Sequence, residues 1–146
     1  MRNFLKLSLV VMSFVAFVGC SKDDDPAPTA TIRVNNAVVA NDDDFTGDIN
    51  GDFTGDGGSV TRTFNWQNAL TTADYNADIT ATATGMFTMV VRDADGTVVL
   101  DRSLDGAVEP DSFSGVTSAG TSGNWSVTIS VTNFNGDGSY SLSEGN

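Results

Sequence analysis

Trp125-Ser126-Val127-Thr128-Ile129-Ser130-Val131-Thr132 alternates large apolar residues with small hydroxylated ones without a break. Side chains on an extended chain point to opposite faces in turn. This stretch therefore puts its apolar residues on one face and its hydroxyls on the other, as in a strand with one side buried. Trp125 then reads as a core residue at the start of that strand. The same period of two recurs on either side. Val60, Arg62, Phe64 and Trp66 share a face, with the arginine looking outward; Tyr75, Ala77, Ile79, Ala81 and Ala83 form a second line; Phe87, Met89 and Val91 form a third.

Turn residues separate these runs. Asp95-Gly96 predicts a hairpin joining residues 87–93 to 97–104, and Asp105-Gly106 ends the second of those strands. Gly136 and Asp137-Gly138 predict a turn from the Trp125 strand into residues 140–142, as a closing hairpin. Residues 32–39 and 113–117 bring the total to seven or eight short, mostly antiparallel strands. No long stretch has an apolar period of 3.6, and only residues 67–76 leave room for a helical turn, capped by Thr71 or Thr72. The fold expected over residues 31–146 is all-β, a single small sandwich or jelly roll. The order Phe113, Gly120, Gly123-Asn124-Trp125, Gly136-Asp137-Gly138, Leu142 is similar to the end of jelly-roll accessory domains attached to secreted proteases. That resemblance implies a sandwich and assigns no role.

The chain has 146 residues, 19 acidic against seven Lys or Arg, no histidine and one cysteine. The first residues, with Arg2 and Lys6, lead into an almost wholly apolar run over 7–18 that ends at Gly19-Cys20. That run is too short to span a bilayer as a helix and has the charge, length and small-residue ending of a cleaved signal. It resembles the bacterial lipoprotein signal, with Phe17 where an aliphatic residue is more usual. The resemblance implies cleavage after Gly19 and acylation of Cys20, and two or more acyl chains make a durable anchor. Ser21-Lys22-Asp23-Asp24-Asp25 is similar to the Lys/Asp-rich signals of surface-exposed lipoproteins of the Bacteroidota. This implies an outer-membrane protein facing the medium, the alternative being a polar spacer on a periplasm-facing lipoprotein. Residues 1–19 are thus expected to be signal peptide and residues 20–30 an acidic, proline-bearing tether.

Without Arg2 and Lys6 the formal charge of -12 becomes -14. Such a surface repels phosphate backbones and anionic headgroups, which argues against nucleic acid and suits a basic partner. The missing imidazole removes the commonest general base and metal ligand. No Gly-x-Ser-x-Gly elbow or phosphate-cradling loop is present, and the only glutamates, Glu109 and Glu144, sit beside turns or the chain end. These features point away from an enzyme.

Residues 42–58 are the most unusual segment of the mature chain. Phe45-Thr46-Gly47-Asp48 recurs as Phe53-Thr54-Gly55-Asp56, and Asp48, Asn50 and Asp52 have the one-three-five spacing of a calcium loop. Asp48, Asn50, Asp52 and Asp56 are the candidate calcium ligands. Phe53 at the sixth position and Ser59 at the twelfth depart from the pattern, which leaves a solvated glycine-rich loop as the other reading. Asp93, Asp95 and Asp137 are weaker candidates that also suit turns. Phe45 and Phe53 are expected to pin the segment to the core. The expectation for function is a lipid-anchored binding or adhesion module for a glycan, a peptide or an envelope protein. The alternative is a structural or accessory subunit of an envelope complex with no small ligand.

Overall fold

A computed structural model describes residues 25–145 of the chain. The described chain is all-β, with nine strands. They are β1 (Ala30–Val34), β2 (Ala37–Val38), β3 (Asp44–Thr46), β4 (Ile49–Asn68), β5 (Ala73–Ile79), β6 (Thr84–Arg92), β7 (Val98–Asp105), β8 (Ser112–Val116) and β9 (Gly123–Glu144). All pairings are antiparallel except β3 with β4. No helix of the described residues is long and apolar enough to cross a membrane.

β4 and β9 pair along almost their whole length, and both are kinked at the same place. Register shifts fall between Asp56 and Gly58 and between Gly58 and Val60; opposite them Asn133 takes a positive φ of 47°. A bulge bends a strand and increases its twist. It also changes which parity faces inward. Ile49, Gly51 and Phe53 are buried before the kink of β4, and Phe64, Trp66 and Asn68 after it; β9 goes from Trp125, Val127, Ile129 and Val131 to Phe134, Tyr140 and Leu142. Both central strands thus switch faces together, and the sheet folds over on itself.

One half of the folded sheet runs β2-β1-β4-β9-β5-β8, using residues 49–58 and 134–144 of the long strands; the other runs β3-β4-β9-β6-β7. Aromatic rings join the halves. Phe87 of β6 stacks on Phe53 of β4 with centroids 4.4 Å apart and also approaches Tyr140 and Phe113. Trp66 and Trp125, cross-strand partners, meet edge to face at 5.9 Å. The result is a sandwich-like core with every buried side-chain nitrogen and oxygen of the described residues hydrogen-bonded.

Several sequence expectations need correction. Residues 32–39 are two strands, because Asn35 and Asn36 both adopt positive φ (49° and 68°) and turn the chain as a tight hairpin. Residues 67–76 hold no helix: Asn68 closes an Asx turn, its Oδ1 accepting from the Leu70 amide and its Nδ2 donating to the Thr72 carbonyl. The line from Tyr75 to Ala83 stops as a strand at Ile79. The closing hairpin is absent, since β9 continues straight through Gly136, Asp137 and Gly138. The glycine-rich acidic segment is sheet, forming β3 and the first half of β4.

The last two corrections share a cause. Gly51 faces Tyr140 across the ladder, and Phe53 faces Gly138. A Cβ added at Gly51 would collide with the Tyr140 ring, and one at Gly138 with the Phe53 ring. Each glycine is thus the seat for an aromatic ring from the opposite strand, an exchange that lets glycine occupy a strand interior without leaving a hole.

Candidate functional site

Cys20 lies outside the described residues. The residues just before β1 are tied to the sheet, within the stretch expected as tether: the Thr29 amide donates to the Asp56 carboxylate, and the Asp56 amide donates to the Thr29 carbonyl at 3.0 Å. Asp56 is therefore engaged in holding the entry to β1 against β4.

The other calcium candidates are spread out. Asp48 lies exposed between β3 and β4, while Asn50, Asp52 and Asp56 follow one another along the outer face of β4. At about 3.3 Å per residue, Asn50 and Asp56 lie about 20 Å apart along the strand, whereas calcium holds its oxygens at about 2.3–2.6 Å. The four residues do not converge on one point. Asp52 is paired with Arg33 at 3.1 Å, and the Asn50 amide donates to Asn35 Oδ1. No group of three or more His, Cys, Asp or Glu among the described residues is placed to hold a metal ion. Phe53 is fully buried and Phe45 packs edge to face on Phe64 at 5.2 Å, so both pin the segment.

Asp93 and Asp95 belong to the β6–β7 turn. The Asp93 carboxylate accepts from the Thr97 and Asp95 amides through Oδ1 and from the Thr121 amide through Oδ2. The Thr121 hydroxyl donates to Asp95 at 2.7 Å. Asp137 accepts from the Thr80 hydroxyl at 3.2 Å. These acids shape turns and the junctions beside them.

The concavity that gathers chemically varied groups lies elsewhere, at the open side of the sandwich. A groove of about 460 Å³ runs between β7 and β8, lined by residues 101–104, Pro110 and residues 112–114. Among the described residues β7 pairs only with β6, and β8 only with β5, so the groove separates two edges that no described strand pairs. The strands approach at one end, where the Ser118 amide donates to the Val99 carbonyl at 3.0 Å, and are joined at the other by residues 106–111. Phe113 lies against the core, edge to face with Tyr75, and the Arg102 guanidinium stands 5.9 Å above its ring. Leu104 is buried beneath.

Arg102 differs from the other described cations. Arg33 pairs with Asp52, Arg62 donates to the Val39 and Thr61 carbonyls, and Arg92 donates to the Gly96 carbonyl. Among the described residues Arg102 meets only the Phe113 ring. The acids of this region are Asp101 and Asp105 on β7 and Glu109 and Asp111 in the connection. Two of them are turned to the backbone: Asp105 accepts from the Ala107 amide and Glu109 from the Asp111 amide.

The sequence reading found β7 and β8 as strands but not the groove. Arg102 and Phe113 carry no motif, and what brings them together is the folding over of the long β4–β9 ladder, a long-range event. A scan against protein-family models, a search of curated proteins and a search of solved structures each find no match to this chain.

Proposed function

We propose that the chain is an extracytoplasmic binding module, lipid-anchored at Cys20 in the outer membrane and facing the cell surface, whose ligand enters the groove between β7 and β8. The observation that carries this reading is the groove itself: an open slot with an aromatic and aliphatic floor, a guanidinium that among the described residues meets only an aromatic ring, and serines contributed by both walls. Its volume falls within the range of about 300–1,000 Å³ usual for ligand sites. Binding is favoured over catalysis by the groups present. The chain has no histidine, and a guanidinium cannot serve as a base near neutrality. The anchor reading rests on the run from Arg2 to Cys20 and its resemblance to lipoprotein signals.

Two measurements test the two parts. Cys20→Ala should move the protein from membranes to the soluble fraction or leave it as uncleaved precursor; a cleaved, membrane-bound mutant that incorporates no lipid would sink the anchor. For the groove, amide resonances of the full chain in detergent micelles should be followed while envelope oligosaccharides and peptides are added. Shifts clustering at residues 101–104 and 112–114 are expected. Shifts for none of the ligands would favour the accessory-subunit reading.

A further inference from the structure

The ladders of β7 and β8 determine which backbone groups lie at the groove. In an antiparallel pair, residues alternate between exchanging hydrogen bonds with the partner and directing N–H and C=O away from it. The Ile79 amide donates to the Asp111 carbonyl and the Thr117 amide to the Ala73 carbonyl, so the odd-numbered residues of β8 bond to β5. Ser112, Ser114 and Val116 therefore direct their amides and carbonyls away from it. The Gly106 amide donates to the Gly85 carbonyl, which makes the even residues of β7 the ones bonded to β6. Asp101, Ser103 and Asp105 are left facing outward. Among these, Asp101, Ser103, Ser112 and Ser114 line the groove.

The slot thus presents backbone donors and acceptors from both walls. The bond from Ser118 to Val99 continues the same outward parity on both chains, so β7 and β8 begin a ladder and then splay apart. Neighbouring strands of a sheet stand about 4.8 Å apart, so wherever the two walls of this slot of about 460 Å³ open to about twice that distance, one inserted strand can form a ladder with each. The edges are unequally guarded. β7 carries Asp101, Asp105 and the inward Arg102, the kind of charge that discourages edge pairing; β8, Ser-Phe-Ser-Gly-Val, carries no charge or proline.

We infer that the groove accepts an extended polypeptide strand from a basic partner, inserted between β7 and β8 and hydrogen-bonded to both, an inference that rests on the binding-module reading. Alternate side chains of the guest face Phe113 and Leu104, while the others face solvent beside Asp101, Asp105, Glu109 and Asp111. The charge of the mature chain, -14, and these four acids select lysine or arginine on the solvent side and oppose a second copy of the same chain.

The test is fluorescence anisotropy with the full chain in detergent micelles and a labelled nine-residue peptide of alternating valine and lysine. Saturable binding that weakens with salt is expected. Two further peptides carry backbone N-methyl groups on the valines or on the lysines. An inserted strand uses both sets of amides, so each methylated form should bind at least about tenfold more weakly, as loss of several hydrogen bonds requires. Ser114→Pro, which removes an outward amide but no bond to β5, should weaken the parent peptide likewise. Exchanging lysine for glutamate should abolish binding. Weakening by one methylated form alone would overturn insertion in favour of addition to a single edge. Failure of the parent peptide to bind at millimolar concentration overturns the inference outright. If oligosaccharides still shift the groove amides, the binding-module reading survives that failure; if nothing shifts them, both fall.

Discussion

Asp93 is 6% exposed, and its carboxylate gathers three backbone amides from two separate segments. Without it, the Thr97, Asp95 and Thr121 amides would lose their acceptor, and the crossing of residues 120–122 over the β6–β7 turn would loosen. Chiefly the Thr121 amide, against an opposing push from burial, and then the Thr97, Asp95 and Gly96 amides hold the carboxyl below the ordinary aspartate value of 3.8. The sign follows. A depressed folded value means the folded state binds fewer protons, so the stabilisation is present above 3.8 and is lost as pH falls below it toward the folded value. Asp93→Asn keeps the shape but cannot accept at both ends of the group. It should melt at a lower temperature than the parent at pH 7, and the gap should close as pH drops below the ordinary aspartate range. Thermal melts of the two proteins across pH measure this. A gap that stays constant from neutral to strongly acidic pH would mean the charge contributes nothing.

Among the elements, β4 and β9 show where sequence reading succeeds and where it fails. Residues 125–132 keep an apolar side chain at every inward position, so period two is visible and the strand is found, as are the hairpin of β6 with β7 and the buried Trp125. The other halves of the same strands have inward rows of Ile49, Gly51, Phe53, Gly55 and Phe134, Gly136, Gly138, Tyr140. Half of those positions are glycine, and the space they leave is filled from elsewhere: by the opposite strand at Gly51, Gly55 and Gly138, and by Thr80 and Ala83 at Gly136. Hydropathy along one chain cannot register that, and glycine beside aspartate imitates a turn. The repeated Phe-Thr-Gly-Asp shows how far context decides: Gly47 lies in a bend with a φ of 73°, open to its surroundings, whereas Gly55 lies mid-strand against the Phe134 backbone. A double-mutant cycle tests the exchange. Gly51→Ala should cost about 1–3 kcal/mol, as overpacking does. In a Tyr140→Ala background the same change should cost less by at least about 0.5 kcal/mol, since the ring it would strike is gone. Additive costs would show that the glycine is needed for some other reason. Tyr140→Phe is milder, removing only the hydroxyl that donates to the Arg33 carbonyl at 3.0 Å, worth about 0.5–1.5 kcal/mol. Burial, with the charge of Asp52 adding to it, keeps that hydroxyl protonated far into alkali.

At the scale of the molecule, one folded ladder carries nearly everything. The paired kink near Gly58 and Asn133 brings the two halves together, stacks Phe53 on Phe87 and sets the edges of β7 and β8 face to face. The groove lies where that closure stops, between the edges of β7 and β8. Charge is distributed with little internal compensation: Arg33–Asp52 is the one salt bridge among the described residues of a strongly acidic chain. Self-repulsion of this kind destabilises the compact state and is screened by salt, with a Debye length of about 10 Å at 0.1 M. The melting temperature should therefore rise with sodium chloride. Calcium supplies the sharper comparison. Asp48, Asn50, Asp52 and Asp56 are laid out along a strand instead of around a point, so a divalent ion meets them as separate surface charges. Calcium and magnesium at matched ionic strength should then raise the melting temperature equally, and Asp48→Asn with Asp52→Asn should leave no difference between the two ions. A larger rise with calcium, lost in that double variant, would show instead that the ion draws these residues into a site by reshaping the start of β4, and the outer face of the ladder would have to be counted as a second functional surface.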